Sequence, residues 1–143
     1  MQKLIIVRGL PGSGKSTKAN ELRDTFIKDD KTVSEVLEAD SFFTNKSGEY
    51  LYDPHYLPRA HEWCFNNAVK SVIIDKNDVT IVANTFTTNW EMKDYRMLAF
   101  NAEIECEIIE CQGDYGSVHG VPFSVMSTMK ERWEEVIDIK DYD

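Results

Sequence analysis

Apolar positions fall into short runs and helical stripes that alternate along the chain. Leu4-Ile5-Ile6-Val7 is an apolar run closed by a Gly-rich turn, the pattern of a strand buried on both faces of a parallel sheet. A helix is expected from about Lys15, because Ala19, Leu22 and Phe26 step by three and four and leave one buried stripe. Thr32 to Glu38 reads as a second strand, with Asp40 just past its end. Pro58 suits the first turn of the next helix, whose body from Ala60 to Val72 carries Cys64, Ala68 and Val72 at four-residue steps. Val79-Thr80-Ile81-Val82-Ala83 is a β-branched strand. Asn89 is placed to cap a helix in which Met92, Tyr95, Leu98 and Ala99 share a face. Glu103 to Glu110 alternates, with Ile104, Cys106 and Ile108 on one side and Glu105 and Glu107 on the other, as an edge strand does. After a Gly-rich stretch, Pro122 opens a last helix striped by Met126, Met129, Trp133, Val136 and Ile137.

The order βαβαβαβα predicts an α/β fold of the P-loop nucleoside-triphosphate-binding kind, a parallel sheet of four to five strands with helices on both faces. Ligands of such sheets sit outside the carboxyl ends of the strands. Gly9 to Ser16, Asp40, Asn84 and the Cys111 to His119 stretch all fall at or after predicted strand ends, so they are expected on one edge. The Met and Trp stripes read as core.

The length of 143 residues suits one domain, 1–143, and the 42% apolar content is ordinary for a globular chain. No window approaches the run of eighteen or more apolar residues that a membrane span needs. The apolar run after Met1 is too short for a secretory signal and leads straight into the Gly-rich turn, so the chain is expected in the cytoplasm, off the membrane. Cys64, Cys106 and Cys111 form no CxxC pair and no Cys/His metal spacing, which predicts free thiols. The net charge of −9 supplies no broad basic footprint and counts against a duplex-binding module, although it says little about one cleft. Nothing in the sequence marks an obligate protein partner.

Gly9-Leu10-Pro11-Gly12-Ser13-Gly14-Lys15-Ser16 fits the GxxxxGK[ST] pattern in its strand–loop–helix setting, and Thr17 continues it into the helix. Glycines let the backbone curl so that successive N–H groups face one concavity that holds phosphate oxygens. The following helix adds unpaired N–H groups and the positive end of its dipole. Lys15 brings a compact charge to the β- and γ-phosphates, and the Ser16 hydroxyl is the ligand for Mg²⁺. ATP with Mg²⁺ is the expected cofactor pair. Such a loop fixes only the nucleotide. No strand ends in the Asp or Asp-Glu of a Walker B motif; the best downstream strand ends Ala83-Asn84-Thr85. Small size favours a small-molecule or end-group kinase over a motor. A kinase needs a group to receive the proton of the incoming hydroxyl, and Asp40 is the candidate base; the alternative is an N-cap for the segment starting at Ser41.

The blocks Arg8 to Thr17, Ala39-Asp40-Ser41-Phe42-Phe43, Ala60-His61-Glu62-Trp63-Cys64, Asn84-Thr85, Trp90-Glu91-Met92 and His119-Gly120-Val121-Pro122 resemble the polynucleotide-kinase-like P-loop proteins. The likeness is greatest to the small kinase-like domain of Nedd4-binding-protein-2-like proteins, which bacterial viruses also carry as stand-alone chains, and it runs from about residue 3 to residue 135. It implies an ATP-dependent kinase acting on the 5′-hydroxyl of a polynucleotide or a related hydroxyl, with Asp40 as general base. Asn84 falls where some relatives carry an Asp that organises the acceptor; Asn84-Thr85 equally suits a turn cap. By spacing, His61 is an ordinary helix-surface or satisfied histidine and Trp63 is core; the resemblance implies instead that His61, Glu62 and Trp63 wall the acceptor cleft. Tyr50, Tyr52, Tyr56, Phe42 and Phe43 either stack on a base or anchor their loop.

The likeness departs in a lid-like segment at about 111–121. Relatives carry arginines there, whereas Gln112 to Val118 holds no Arg or Lys. Arg132, Arg59 and Lys18 are the candidate replacements. Two alternatives therefore stand beside the polynucleotide reading: a nucleoside, nucleotide or other small-molecule kinase, which suits the acidic surface, and a catalytically inactive ATP-binding module.

Overall fold

The run Leu4-Ile5-Ile6-Val7 lies at the centre of the sheet, and each of its four side chains is fully buried. Burying such side chains stabilises by roughly 1.5–3 kcal/mol apiece, which is why this run anchors the fold. The computed structural model of the chain describes residues 1–114 and 120–142. The central strand β1 spans Lys3–Gly9 and pairs in parallel with β2 (Val79–Asn84) on one side and β3 (Glu105–Cys111) on the other. Ile5 stands opposite Ile81 in β2 and opposite Glu107 in β3.

Helices cover both faces, as expected. On one face Ile5, Val7, Val79, Ile81 and Ala83 pack against Ala19 and Leu22 of α1 (Lys15–Lys28). On the other, Leu4, Ile6 and Val82 meet α2 (Leu57–Val69) through Ala60, Cys64 and Ala68, and α3 (Asn89–Asn101) through Met92, Tyr95 and Ala99. Pro58 sits in the first turn of α2, and the helix runs on into a wider π turn at Lys70–Ile74.

Four expectations are corrected. The sheet has three strands among the described residues, not four to five. Thr32 to Glu38 does run parallel to β2, with bridges Val33↔Val79 and Leu37↔Val82, but it slips register by one residue between them. The cause is local. Arg23 Nε takes the Ser34 carbonyl at 2.9 Å, so the Ile81 N–H turns to Ser34 Oγ at 3.1 Å, and the ladder bulges instead of continuing.

The cap of α3 is Thr88, not Asn89. Thr88 Oγ1 accepts from the Glu91 N–H at 3.3 Å, and Thr88-x-x-Glu91 is a capping-box sequence. Asn89 is occupied elsewhere: its Nδ2 donates to the Glu135 carbonyl at 2.7 Å and its Oδ1 accepts from the Ile137 N–H at 3.0 Å. The last helix, α4, spans only Phe123–Arg132, and none of its residues is buried. It stops because Trp133 lies over the Arg8 guanidinium, 3.8 Å from carbon to ring centroid, and the Glu134 N–H donates to the Thr87 carbonyl at 2.8 Å. Trp133, Val136 and Ile137 therefore belong to an irregular segment rather than to a helical stripe.

Candidate functional site

Every feature of the loop after β1 serves to expose N–H groups. Gly12 and Gly14 take φ of 80° and 89°, where a Cβ is strained. Gly9 is required for space, since a Cβ there would meet Ser13 Oγ at 2.2 Å and the Cys111 carbonyl at 2.9 Å. The loop is pinned at three points: the Gly9 N–H donates to the Thr85 carbonyl, the Ser13 N–H to the Leu10 carbonyl, and the Gly113 N–H to the Ser13 carbonyl, at 3.0–3.3 Å. Gly14 caps α1 without a side-chain acceptor, so the N–H groups of Lys15, Ser16 and Thr17 in its first turn point outward. Ser13 Oγ is buried and has no partner among the described residues. Half-buried Pro11 forms the tip of the bend.

Two carboxylates face this concavity. Ser16 Oγ donates to Glu38 Oε1 in a short hydrogen bond. Burial pulls the Lys15 ammonium below its ordinary pKa, and the charges of Glu38 and then Asp40 oppose that fall. Glu38 was not foreseen as a site residue. Its signal was present: Glu38-Ala39-Asp40 sets two carboxylates two residues apart at the end of an extended segment. Asp40 lies inside the single 3₁₀ turn Ala39–Phe43, whose N-cap is Glu38, so it does not itself cap that turn. The Tyr50 hydroxyl donates to Asp40 Oδ1 at 3.0 Å, and burial followed by this bond pushes the Tyr50 hydroxyl up to about 12.

Asn84 ends β2 beneath that turn. Its Oδ1 accepts from the buried Ala39 N–H at 2.8 Å, and its Nδ2 approaches Cys64 Sγ at 3.6 Å. Asn84 thus holds the backbone that carries Asp40, while Thr85 ties β2 to the phosphate loop. His61 is exposed by area, yet packing around it lowers its pKa, opposed by the negative charges of Glu91 and Asp40. Arg59 stands apart on the outer face of α2, with its guanidinium 5.7 Å from the Tyr56 ring centroid. Of the other candidate cations, Arg132 Nε donates to Thr87 Oγ1 at 3.3 Å, and Thr87 Oγ1 in turn donates to Glu91 Oε1 at 2.6 Å. Lys18 lies near the Cys111 thiol. Of the lid-like segment at about 111–121, residues 115–119, including His119, lie outside the described residues.

Arg8 was quoted only as part of a motif, yet it joins the site to the rest of the chain. It is fully buried, donating twice to the Phe86 carbonyl at 3.0 and 2.7 Å, to the Thr87 carbonyl at 3.3 Å and to the Glu134 carbonyl at 2.9 Å. It also pairs with Glu110 at 2.8 Å.

A family model described as an AAA domain matches residues 4–116, most of the chain. The chain belongs to that family. As an AAA domain it is 30% identical over 147 residues to human NEDD4-binding protein 2, an alignment that covers 95% of the chain and 8% of that protein. The AAA domain thus spans a small part of this relative's length. Among solved structures it is similar to Chaetomium thermophilum Kti12 in complex with ADP-AlF3, with a TM-score of 0.68 and 19% identity, covering 92% of this chain and 80% of that one. It is also similar to the Mycobacterium tuberculosis APS kinase CysC, with a TM-score of 0.56 and 17% identity, covering 81% and 79%. At these identities the two structures establish the shared fold. No helix among the described residues is long and apolar enough to cross a membrane.

Proposed function

We propose that this AAA domain is an ATP-dependent phosphotransferase that moves the γ-phosphoryl group of ATP to a hydroxyl, and that its acceptor is the 5′-hydroxyl of a polynucleotide. The observation that carries the reading is the pair Glu38 and Asp40 set against Lys15 and Ser16. The outward N–H groups of the loop and of the first turn of α1 receive the phosphates, and Lys15 neutralises their terminal charge. Ser16 and Glu38 offer a hydroxyl and a carboxylate oxygen side by side, the hard oxygen donors that suit Mg²⁺. Mg²⁺ is usually bound by one or two protein groups together with substrate phosphates. Held there by Ser16 and Glu38, Mg²⁺ would supply positive charge to offset that of the phosphates.

Asp40 accepts the proton of the acceptor hydroxyl as that hydroxyl oxygen bonds to the γ-phosphorus and the bond from the γ-phosphorus to the ADP oxygen breaks. Tyr50 fixes the carboxylate, and Asn84 fixes the turn beneath it. His61 and Glu91 line the acceptor side. Arg132 takes the place of the lid arginines, because its bond to Thr87 brings it to the same ends of the strands. The fold shared with an APS kinase and with a protein solved holding ADP-AlF3 supports the reading.

Incubation of the purified chain with γ-labelled ATP and 5′-hydroxyl oligonucleotides tests it. Label is expected on the oligonucleotide, and Asp40→Asn is expected to cut the rate by about 10²–10⁴ while ATP still binds. Consumption of ATP on nucleosides with inert oligonucleotides would reassign the acceptor to a small molecule. The absence of Arg and Lys from residues 112–118 favours one further reading, an inactive nucleotide-binding module. Binding of ATP with no transfer to any acceptor is its outcome.

A further inference from the structure

The inward stripe of α2, Ala60, Cys64 and Ala68, is core. Its solvent face carries Arg59, Glu62, Trp63, Asn66, Asn67 and Lys70, spaced by three and four so that they share one stripe along an open groove of about 710 Å³. Core packing does not require these side chains. Beside its three charged residues this face holds two amides and a tryptophan that is 38% exposed. In a chain of net charge −9 it holds two cations against one carboxylate. Lys70 is paired with Asp75 at 2.8 Å, whereas Arg59 makes no ion pair among the described residues.

Through Trp63 the groove borders the turn that carries Asp40. Trp63 meets Phe42 edge-on, with ring centroids 5.9 Å apart, and Phe42 is 36% exposed in the same turn as Asp40. Tyr52, also exposed, stacks on Tyr50, the residue that holds Asp40, at 6.2 Å and 7°. Exposed rings therefore lead from Asp40 to the groove. Aromatic faces for bases beside cations for phosphates are the chemistry of single-strand binding. From Arg59 to Lys70 the helix rises about 16 Å, the length of about four or five nucleotides at a stacked rise of 3.4 Å.

We infer that the outer groove of α2 is a track for a single-stranded polynucleotide, with Phe42 and Trp63 stacking the bases next to the acceptor hydroxyl and Arg59 meeting a phosphate. The inference rests on the acceptor site proposed above and extends it. It requires single strands over duplex, and oligomers over single nucleotides. A protein segment seated on the same face would show neither preference.

Fluorescence anisotropy with labelled dT10, U10, dT2 and a dT10·dA10 duplex tests it, alongside transfer assays on dT10 and dT2. The ten-mers are expected to bind more tightly than dT2 and the duplex, and to weaken with salt. Trp63→Ala is expected to weaken ten-mer binding by about 5- to 150-fold, the loss of one stacked base. Asn66→Glu, on an exposed position, is expected to weaken it through repulsion of phosphate and does not disturb the Trp63–Phe42 contact. The ratio of dT10 to U10 affinity distinguishes a DNA track from an RNA track. Equal affinity for dT2 and dT10, with both variants like wild type, would overturn the track even if transfer occurs. Tight binding that depends on Trp63 and Asn66 but brings no transfer would uphold the track and remove the kinase reading.

Discussion

Replacing Arg8 with Met tests whether the buried guanidinium holds the site edge together. The methionine chain retains the length of the arginine stem but not the guanidinium that lies over the Trp133 ring. It removes five donated bonds: two to the Phe86 carbonyl, one each to the carbonyls of Thr87 and Glu134, and the pair with Glu110. Replacing buried ion pairs with apolar residues is sometimes neutral, because desolvation offsets the attraction. That outcome is not expected here. Only one partner is removed, and carbonyls on two separate segments lose their donor in a dry interior. Glu110, with its side chain 25% exposed, keeps some water and suffers less. Loss of one partner from a buried network costs about 3–5 kcal/mol, and domains of this kind have only about 5–15 kcal/mol in total. Urea unfolding followed by far-ultraviolet circular dichroism measures the loss. Arg8→Lys keeps the charge but not the planar fork, and is expected to fall between Met and wild type. A loss under about 1 kcal/mol for Met, at unchanged m-value, would refute the account.

Asn84→Ala is expected to cost about 1–3 kcal/mol by leaving the buried Ala39 N–H unpaired, and to slow transfer by loosening the turn that carries Asp40; unchanged unfolding would show that Asn84 does not hold the turn. Gly9→Ala forces a Cβ onto Ser13 Oγ and is expected to cost about 1–3 kcal/mol while weakening binding of an ATP analogue, so a variant that melts and binds like wild type contradicts the packing. Burial pushes the Cys106 thiol up to about 11 and raises Cys64 and Cys111 as well. At pH 8, three units below, only about one Cys106 in a thousand is thiolate; Ellman's reagent should react slowly with the folded chain and count three thiols in urea, and an immediate Cys106 reaction in the folded state would sink this.

The strands β1, β2 and β3, the helix faces and the phosphate loop were legible because each rests on a local pattern: an apolar run, a 3.6-residue stripe, a fixed glycine spacing. What escaped depends on contacts distant in sequence. Nothing near Ser34 announces that Arg23 takes its carbonyl and breaks the outer ladder. Nothing in the Met126–Ile137 stripe announces that Arg8 and Thr87 draw the chain out of helix after Arg132. The Thr88-x-x-Glu91 box was a local signal, and Asn89 was read in its place. In the candidate site, Lys15, Ser16 and Asp40 are proposed from motif and position, and the fold sets Asp40 near Lys15. Glu38 lay in plain view two residues before Asp40, but only the fold shows that its carboxylate reaches Ser16.

The two borders of the sheet bear on how the chain avoids sticking to copies of itself. Beyond β2, the bulge at Ser34 spoils the even ladder that an incoming strand would copy. Beyond β3 no further strand pairs among the described residues, and there Glu105 and Glu107 share the single cation of Lys3, at 3.8 and 3.4 Å. The surplus negative charge makes a second β3 an unwelcome neighbour at neutral pH.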